Sequence, residues 1–142
     1  MVVVDVRHFN TVIEGETFVL LKGPVTTRQL VMYAGASGDY NRIHYDHAFA
    51  SEAGLGGVIA HGMLTMGFAA ECLSDWAGKG AFVERVQGRF LHPVRPGDEV
   101  RITLTVISKQ AKGQALCCEA GLSGEVSGRA VFSGSGTVVL PS

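Results

Sequence analysis

The sequence contains few cysteines and lacks the spacing that marks cysteine-based sites. It has three cysteines in 142 residues, Cys72, Cys117 and Cys118, and none of them forms a CxxC pair, which argues against a structural zinc site. Cys117 and Cys118 are adjacent and would point to opposite faces of a strand, so a disulfide between them is not expected. We therefore predict free thiols and a reducing, cytoplasmic compartment.

Long apolar runs and blocks of like charge are also missing. No stretch approaches the roughly 18–20 consecutive apolar residues that span a bilayer, and the apolar run at residues 2–4 ends at Asp5, too soon for a secretory signal. The net charge is −1 and no basic block occurs, so we expect neither a nucleic-acid nor a membrane partner. The apolar fraction of 46% instead indicates one packed domain, residues 1–142.

Hydrophobic periodicity divides the chain into helices followed by strands. Met63 to Ala77 is the longest helical segment, and apolar residues occupy nearly every face of it, which is typical of a buried helix. Earlier in the chain, Thr26-x-x-Gln29 has the form of a capping box and begins another helix. The predicted strands are residues 17–22, 82–91, 100–106, 116–122 and 129–140.

This order of elements predicts an α+β fold. The alternating strands form an antiparallel sheet with one apolar face, and Met63 to Ala77 is the only element long enough to cover that face. We therefore expect a single hot-dog domain, in which a curled antiparallel sheet wraps around a long central helix. An open sheet leaves an edge that invites pairing, so we also expect a dimer.

The candidate site begins in the loop that follows the first helix. Asp39 and His44 are separated by four residues, close enough for a carboxylate and an imidazole to hold one water as an acid–base pair. Alternatively, Asp39 caps the turn and His44 is a surface residue. Asn41, between them, is suited to a structural role because asparagine in a turn bonds its own main chain.

His61, Gly62 and Met63 lie at the predicted N-terminus of the central helix. The first N–H groups of a helix are unpaired and its dipole is positive there, and glycine lets a ligand approach the backbone closely. This combination predicts an oxyanion hole for a carbonyl oxygen. Alternatively, Gly62 only permits tight packing, His61 caps the turn and Met63 belongs to the core.

Several histidines near Asp39 raise the possibility of a metal site. His44 and His47 are three residues apart, and His61 follows later in the same segment. Catalytic metals usually take three ligands on rigid elements, whereas these residues lie on loops and at a helix start. We therefore predict no metal.

The segment SGDYNRIHYDHAFASEAGLGGVIAHGMLTMG resembles the signature of the MaoC-like enzymes, also called the hydratase 2 family. The resemblance rests on D-x-N-x-x-H together with A-H-G-M, and the later FLHPVRPGD also fits the family pattern. It implies that Asp39 and His44 are catalytic, that Asn41 positions groups at the substrate, and that the Gly62 N–H binds the thioester oxygen. His61 and Met63, beside Gly62, are the further substrate-binding candidates.

The activity that this resemblance implies is the reversible hydration of trans-2-enoyl thioesters to (R)-3-hydroxyacyl thioesters. The acyl group is carried by CoA or by an acyl-carrier protein, and no cofactor is needed because the thioester itself stabilises the enolate. The complete set of Asp39, His44 and Gly62 in one chain favours a homodimer or a higher oligomer. One departure is Arg42, where the family usually has proline, and the missing fixed φ predicts a looser loop.

Two other functions remain open from the sequence. A hot-dog acyl-CoA thioesterase would need a carboxylate on the central helix, which Glu71 or Asp75 could supply. A non-catalytic acyl-binding subunit of a heterodimeric dehydratase would need neither Asp39 nor His44.

Overall fold

The structure, a computed structural model, describes residues 5–142, so the short apolar run at residues 2–4 lies outside it. Five strands form one antiparallel sheet in the order β1-β3-β4-β5-β2. The strands are β1 (Thr17–Lys22), β2 (Phe82–Phe90), β3 (Val100–Lys112), β4 (Ala115–Val126) and β5 (Arg129–Leu140).

Three α-helices precede the last four strands. They are α1 (Thr27–Ser37), α2 (His47–Glu52) and α3 (Gly62–Ala77), with short 3-10 turns at Phe9–Thr11 and Arg42–His44. The capping-box hydroxyl of Thr26 accepts the N–H of Gln29 at 3.1 Å, as the sequence predicts. Helix α1 ends at Gly38, which has the left-handed φ of 75° that favours glycine, and this turn leads the chain into the loop of the candidate site.

Helix α3 lies across the sheet and contacts all five strands. Its side chains Cys72, Leu73 and Trp76 are almost completely buried. Leu73 packs directly against Gly136 of β5, where any β-carbon would collide with it. This arrangement confirms the α+β hot-dog fold, although Met63 in the first turn is 55% exposed and not part of the core.

The three thiols are free, as predicted, and all three cysteines are buried. Burial raises the pKa of Cys72 to about 12 and that of Cys118 to about 11, so neither is a reactive thiolate near neutral pH. Among residues 5–142, the helices are too short or too polar to cross a bilayer.

Candidate active site

The main chain and carboxylate of Asp39 are held at three points. Its N–H donates to Ser37 Oγ at 3.1 Å, and its Oδ1 accepts the N–H of Asn41 at 3.2 Å. Its carbonyl oxygen accepts a hydrogen bond from His61 Nε2 at 3.1 Å. The carboxylate therefore has a defined direction although the side chain is about half exposed.

The other oxygen of this carboxylate faces His44. The His44 ring is 7% exposed, so the alternative of a surface histidine is wrong. Its Nδ1 lies 2.8 Å from the carbonyl oxygen of Ile59, which can only accept, so Nδ1 carries the hydrogen. In the neutral ring Nε2 is then an acceptor, and it lies 3.8 Å from Asp39 Oδ2.

This 3.8 Å separation is too long for a direct hydrogen bond. When His44 is neutral and Asp39 is ionised, both facing atoms are acceptors. A small molecule with two hydrogens to donate, such as water, suits the gap between them. The structure thus brings together the two residues that the sequence selected for acid–base chemistry.

Asn41 connects the two halves of this loop. Its side-chain Oδ1 accepts the N–H of Ile43 at 3.2 Å and begins the 3-10 turn that carries His44. Its own N–H donates to Asp39. The structural role expected of Asn41 is therefore present, and a contact with substrate stays a prediction.

The loop has firm anchors although it lacks the family's proline. Arg42 Nη2 lies 2.8 Å from Asp46 Oδ2, and its guanidinium lies 4.4 Å from the centre of the Phe49 ring. Asp46 also caps α2 by accepting the N–H of Phe49, and this bond, followed by Arg42, lowers the pKa of Asp46. Arg42 thus makes side-chain contacts where the family has a fixed φ, and the expectation of a looser loop stays a prediction.

His61 lies against His44 in an arrangement that the sequence did not reveal. The two rings stack with centroids 3.8 Å apart and planes 22° apart, and Tyr33 packs on His61 at 4.7 Å in a tilted geometry. The His61 side chain makes no capping hydrogen bond to α3, so the capping alternative is wrong. Burial is the main cause that lowers the pKa of His61, and the charge of His44 acts in the same direction.

A largely apolar cleft of about 280 Å³ opens at the N-terminus of α3. Gly62 lines this cleft and lies against Phe90, since a β-carbon on Gly62 would come within 2.7 Å of Phe90 Cδ2. Neither Met63 nor the Asp39–His44 pair lines it; Ile59, whose carbonyl binds His44, connects the two regions. The lining residues are Ile59, Ala60, Gly62, Thr65, Phe90, Leu91, His92, Pro93, Val94 and Val131.

Asp39, His44 and His61 also bring potential metal-ligand atoms within 4.8 Å of one another. One nitrogen of each ring is already bonded to a carbonyl oxygen. A metal that took His61 Nε2 would break the bond that holds the Asp39 main chain. His47 is not in this cluster, and its ring lies against Gly57.

Comparison with known proteins gives the family. Residues 9–126 match the model of the MaoC like domain, and the chain belongs to this family. It is 30% identical to an (R)-specific enoyl-CoA hydratase of Rhodospirillum rubrum over 95% of this chain and 92% of the relative. It is also 30% identical to a 3-hydroxybutyryl-CoA dehydratase of Methylorubrum extorquens, over 86% of this chain and 77% of the relative.

Solved structures agree with the fold. An R-hydratase of Pseudomonas aeruginosa in unliganded form aligns with a TM-score of 0.86 at 25% identity, covering 94% of this chain and 85% of its own. An (R)-hydratase of A. caviae involved in PHA biosynthesis aligns with a TM-score of 0.84 at 26% identity, covering 92% and 98%. These four relatives are named as hydratases or as a dehydratase, which supports a hydro-lyase.

Proposed function

We propose that the protein catalyses the reversible hydration of trans-2-enoyl thioesters to (R)-3-hydroxyacyl thioesters. The observation that carries the proposal is the pair of acceptors, Asp39 Oδ2 and His44 Nε2, held 3.8 Å apart. A water that donates one hydrogen to each acceptor keeps its lone pairs free to attack Cβ of the substrate. The similarity to hydratases and dehydratases supports the same reaction class.

The proton balance follows from the tautomer of His44. With Asp39 ionised and His44 neutral, neither facing atom carries a proton at the start of hydration. One of the two takes a proton from the water as the oxygen bonds to Cβ and the Cα=Cβ electron pair moves towards the thioester. The group that took the proton then donates it to Cα, on the same face to which the water oxygen was added. This transfer returns Asp39 and His44 to their starting protonation states. Dehydration reverses these steps.

Gly62 is proposed to stabilise the charge that develops on the thioester oxygen. It is the first residue of α3, where N–H groups lack partners within the helix and the dipole favours negative charge. The adjoining apolar cleft suits the substrate chain, and the thiol carrier is CoA or an acyl-carrier protein. His61, Met63 and Asn41 remain as proposed contributors beside this site, and no metal or cofactor enters the proposed chemistry.

A thioesterase is the less favoured alternative. Glu71, one of its two candidate carboxylates, lies 3.1 Å from Lys22 Nζ in an ion pair, and neither Glu71 nor Asp75 lines the cleft at Gly62. None of the ten described residues that line this cleft is an aspartate or glutamate. A non-catalytic subunit is also disfavoured, because the Asp39–His44 geometry is complete within one chain.

We propose a cytoplasmic enzyme.

The deciding experiment uses crotonyl-CoA with two simultaneous readouts. We expect the absorbance of the enoyl-thioester band to fall without release of free thiol, and chiral analysis to identify the (R)-3-hydroxy product. The Asp39→Asn/His44→Asn double variant is the matched control and should leave the band unchanged. Thiol release at the same rate as band loss would identify a thioesterase, and an unchanged band with the wild-type protein over a range of chain lengths would contradict the proposal.

A further inference from the structure

We infer that His61 is a positioning residue for the Asp39–His44 pair, holding the main chain of Asp39 with one ring nitrogen and the imidazole of His44 with one ring face. The inference rests on the proposed function for its catalytic consequence. Its structural basis is independent of that function: the hydrogen bond from Nε2 to the Asp39 carbonyl at 3.1 Å and the stacked contact with His44 at 3.8 Å.

The hydrogen bond to Asp39 determines the tautomer of His61. A backbone carbonyl can only accept, so Nε2 carries the hydrogen. In the neutral ring Nδ1 then has a lone pair, and among the described residues this atom is buried with no hydrogen-bond partner. A proton on Nδ1 would create a buried cation directly against His44, so the local environment favours the neutral ring.

An unpartnered buried nitrogen destabilises a folded protein and needs an explanation. If His61 served only to fill space between Tyr33 and His44, a phenylalanine would stack as well without that penalty. What the imidazole adds over a phenyl ring is the Nε2–H donor directed at Asp39. The unfavourable Nδ1 is therefore explained by the donor on the other nitrogen of the same ring.

The position of His61 also separates this role from substrate binding. The residue is 1% exposed and does not line the cleft at Gly62. It contacts both members of the acid–base pair, although Asp39 lies 22 residues away in sequence. A displacement of either member by even 1 Å can reduce turnover about 100-fold, so a rigid contact with both matters for rate.

Two substitutions of His61 separate the contribution of its hydrogen bond to Asp39 from that of its stacking on His44. His61→Phe keeps a flat ring against His44 and removes the donor to Asp39, together with the unpartnered nitrogen. His61→Gln can place an amide N–H near the position of Nε2 and loses the stacked ring. The matched control is Thr137→Val, which removes another buried polar group, on β5 and bonded to Glu119, outside the site.

For His61→Phe we expect kcat to fall about 10-fold or more while KM for crotonyl-CoA changes less than about twofold. The unfolding temperature should be unchanged or higher, because the loss of one hydrogen bond is offset by removal of the unpartnered nitrogen. His61→Gln should recover part of the lost kcat. Thr137→Val should lower the unfolding temperature and leave kcat unchanged.

Hydrogen–deuterium exchange without substrate keeps the test independent of the reaction. Residues 38–45 should exchange faster in His61→Phe than in the wild type, and the Thr137→Val control should match the wild type there. Wild-type kcat in His61→Phe, or unchanged exchange in this segment, would overturn the inference. If the wild type does not hydrate enoyl-CoA, the proposed function fails, and the exchange result alone decides whether His61 holds the loop.

Discussion

The substitutions Asp39→Asn and His44→Asn each remove the reactive atom and keep the local hydrogen bond. Asn at position 39 retains an Oδ1 for the N–H of Asn41, and Asn at position 44 retains an N–H for the carbonyl of Ile59. We expect Asp39→Asn and His44→Asn each to lower kcat about 100-fold or more, measured with crotonyl-CoA, with little change in unfolding temperature. Near-wild-type turnover in either variant would contradict the assigned roles.

His44→Ala is a less informative variant than His44→Asn. A loop residue is expected to tolerate truncation, but His44 is buried and its Nδ1–H is the donor to Ile59. Truncation would leave a cavity and an unpaired carbonyl, so activity and stability would fall together.

Gly62→Ala tests the proposed oxyanion hole. The new methyl group would come within 2.7 Å of Phe90 Cδ2, so the half-exposed Phe90 ring must move. Because that ring can shift toward solvent, we expect a small loss of thermal stability and a larger loss of kcat/KM. Phe90→Ala alone and Gly62→Ala/Phe90→Ala separate the two causes. Full recovery of activity in the double variant would make Gly62 a packing residue.

The buried His61 predicts a pH dependence of stability. Its folded pKa is lowered from the value of 6.5, with burial as the largest cause, so the unfolded chain binds this proton more readily than the folded one. The stabilisation is therefore complete above about pH 6.5 and is lost as the pH falls towards the lowered pKa. Urea unfolding at several pH values should show a shallower acid decline in His61→Phe. An identical decline in both proteins would contradict this assignment.

At the level of elements, the turn Arg42–His44 carries side-chain contacts of Arg42 at the position where the family usually has proline. Arg42 is the first residue of the turn after the Asn41 cap, a position where proline is well tolerated. Asn41 has φ −59° and ψ 125°, which are compatible with a following proline.

Arg42→Pro should therefore fold and remain active. The substitution removes the exposed ion pair with Asp46, which contributes little, and adds about 0.4–1 kcal/mol by restricting the unfolded chain. We expect an unchanged or slightly higher unfolding temperature in calorimetry and kcat within about twofold of wild type, because Asn41 still holds the turn. Arg42→Ala is the control that removes the contacts without fixing φ. A large loss of kcat in Arg42→Pro alone would mean that the turn cannot accept the fixed φ.

At the level of the whole molecule, the sheet formed by residues 5–142 has β1 and β2 at its two edges, and neither has a second neighbouring strand within that range. Seven of the nine residues of β2 are exposed, whereas only three of the six residues of β1 are exposed. The exposed residues of β2 include Phe82 and Phe90. An exposed strand with apolar side chains invites pairing. We therefore propose a homodimer that joins β2 of one protomer to β2 of its partner.

Light scattering on the purified protein should give about twice the chain mass of 15.0 kDa. Phe82→Lys/Gln87→Lys on β2 should shift the mass towards the monomer, since lysine on an edge strand opposes pairing. Val19→Lys/Leu21→Lys on β1 is the matched control and should leave the dimer intact. An active wild-type monomer would contradict this assembly, and an inactive chain rescued by a second hot-dog subunit would identify a heterodimer.

The sequence by itself determined the elements and the first part of the site. The alternation of apolar residues in the strands and their coverage of nearly every face of Met63 to Ala77 are local patterns, and burial of apolar surface makes such patterns decisive for the fold. Asp39, Asn41 and His44 lie within six residues, so one loop already brings them together.

Only the tertiary structure decided how distant residues support that loop. The stacking of His61 on His44 and the contact of Phe90 with Gly62 depend on where the chain packs, not on local periodicity. The same holds for Met63, which has an apolar side chain and yet is exposed at the end of a buried helix. The pattern of a segment fixes which face is apolar, whereas packing against the rest of the chain fixes what that face touches.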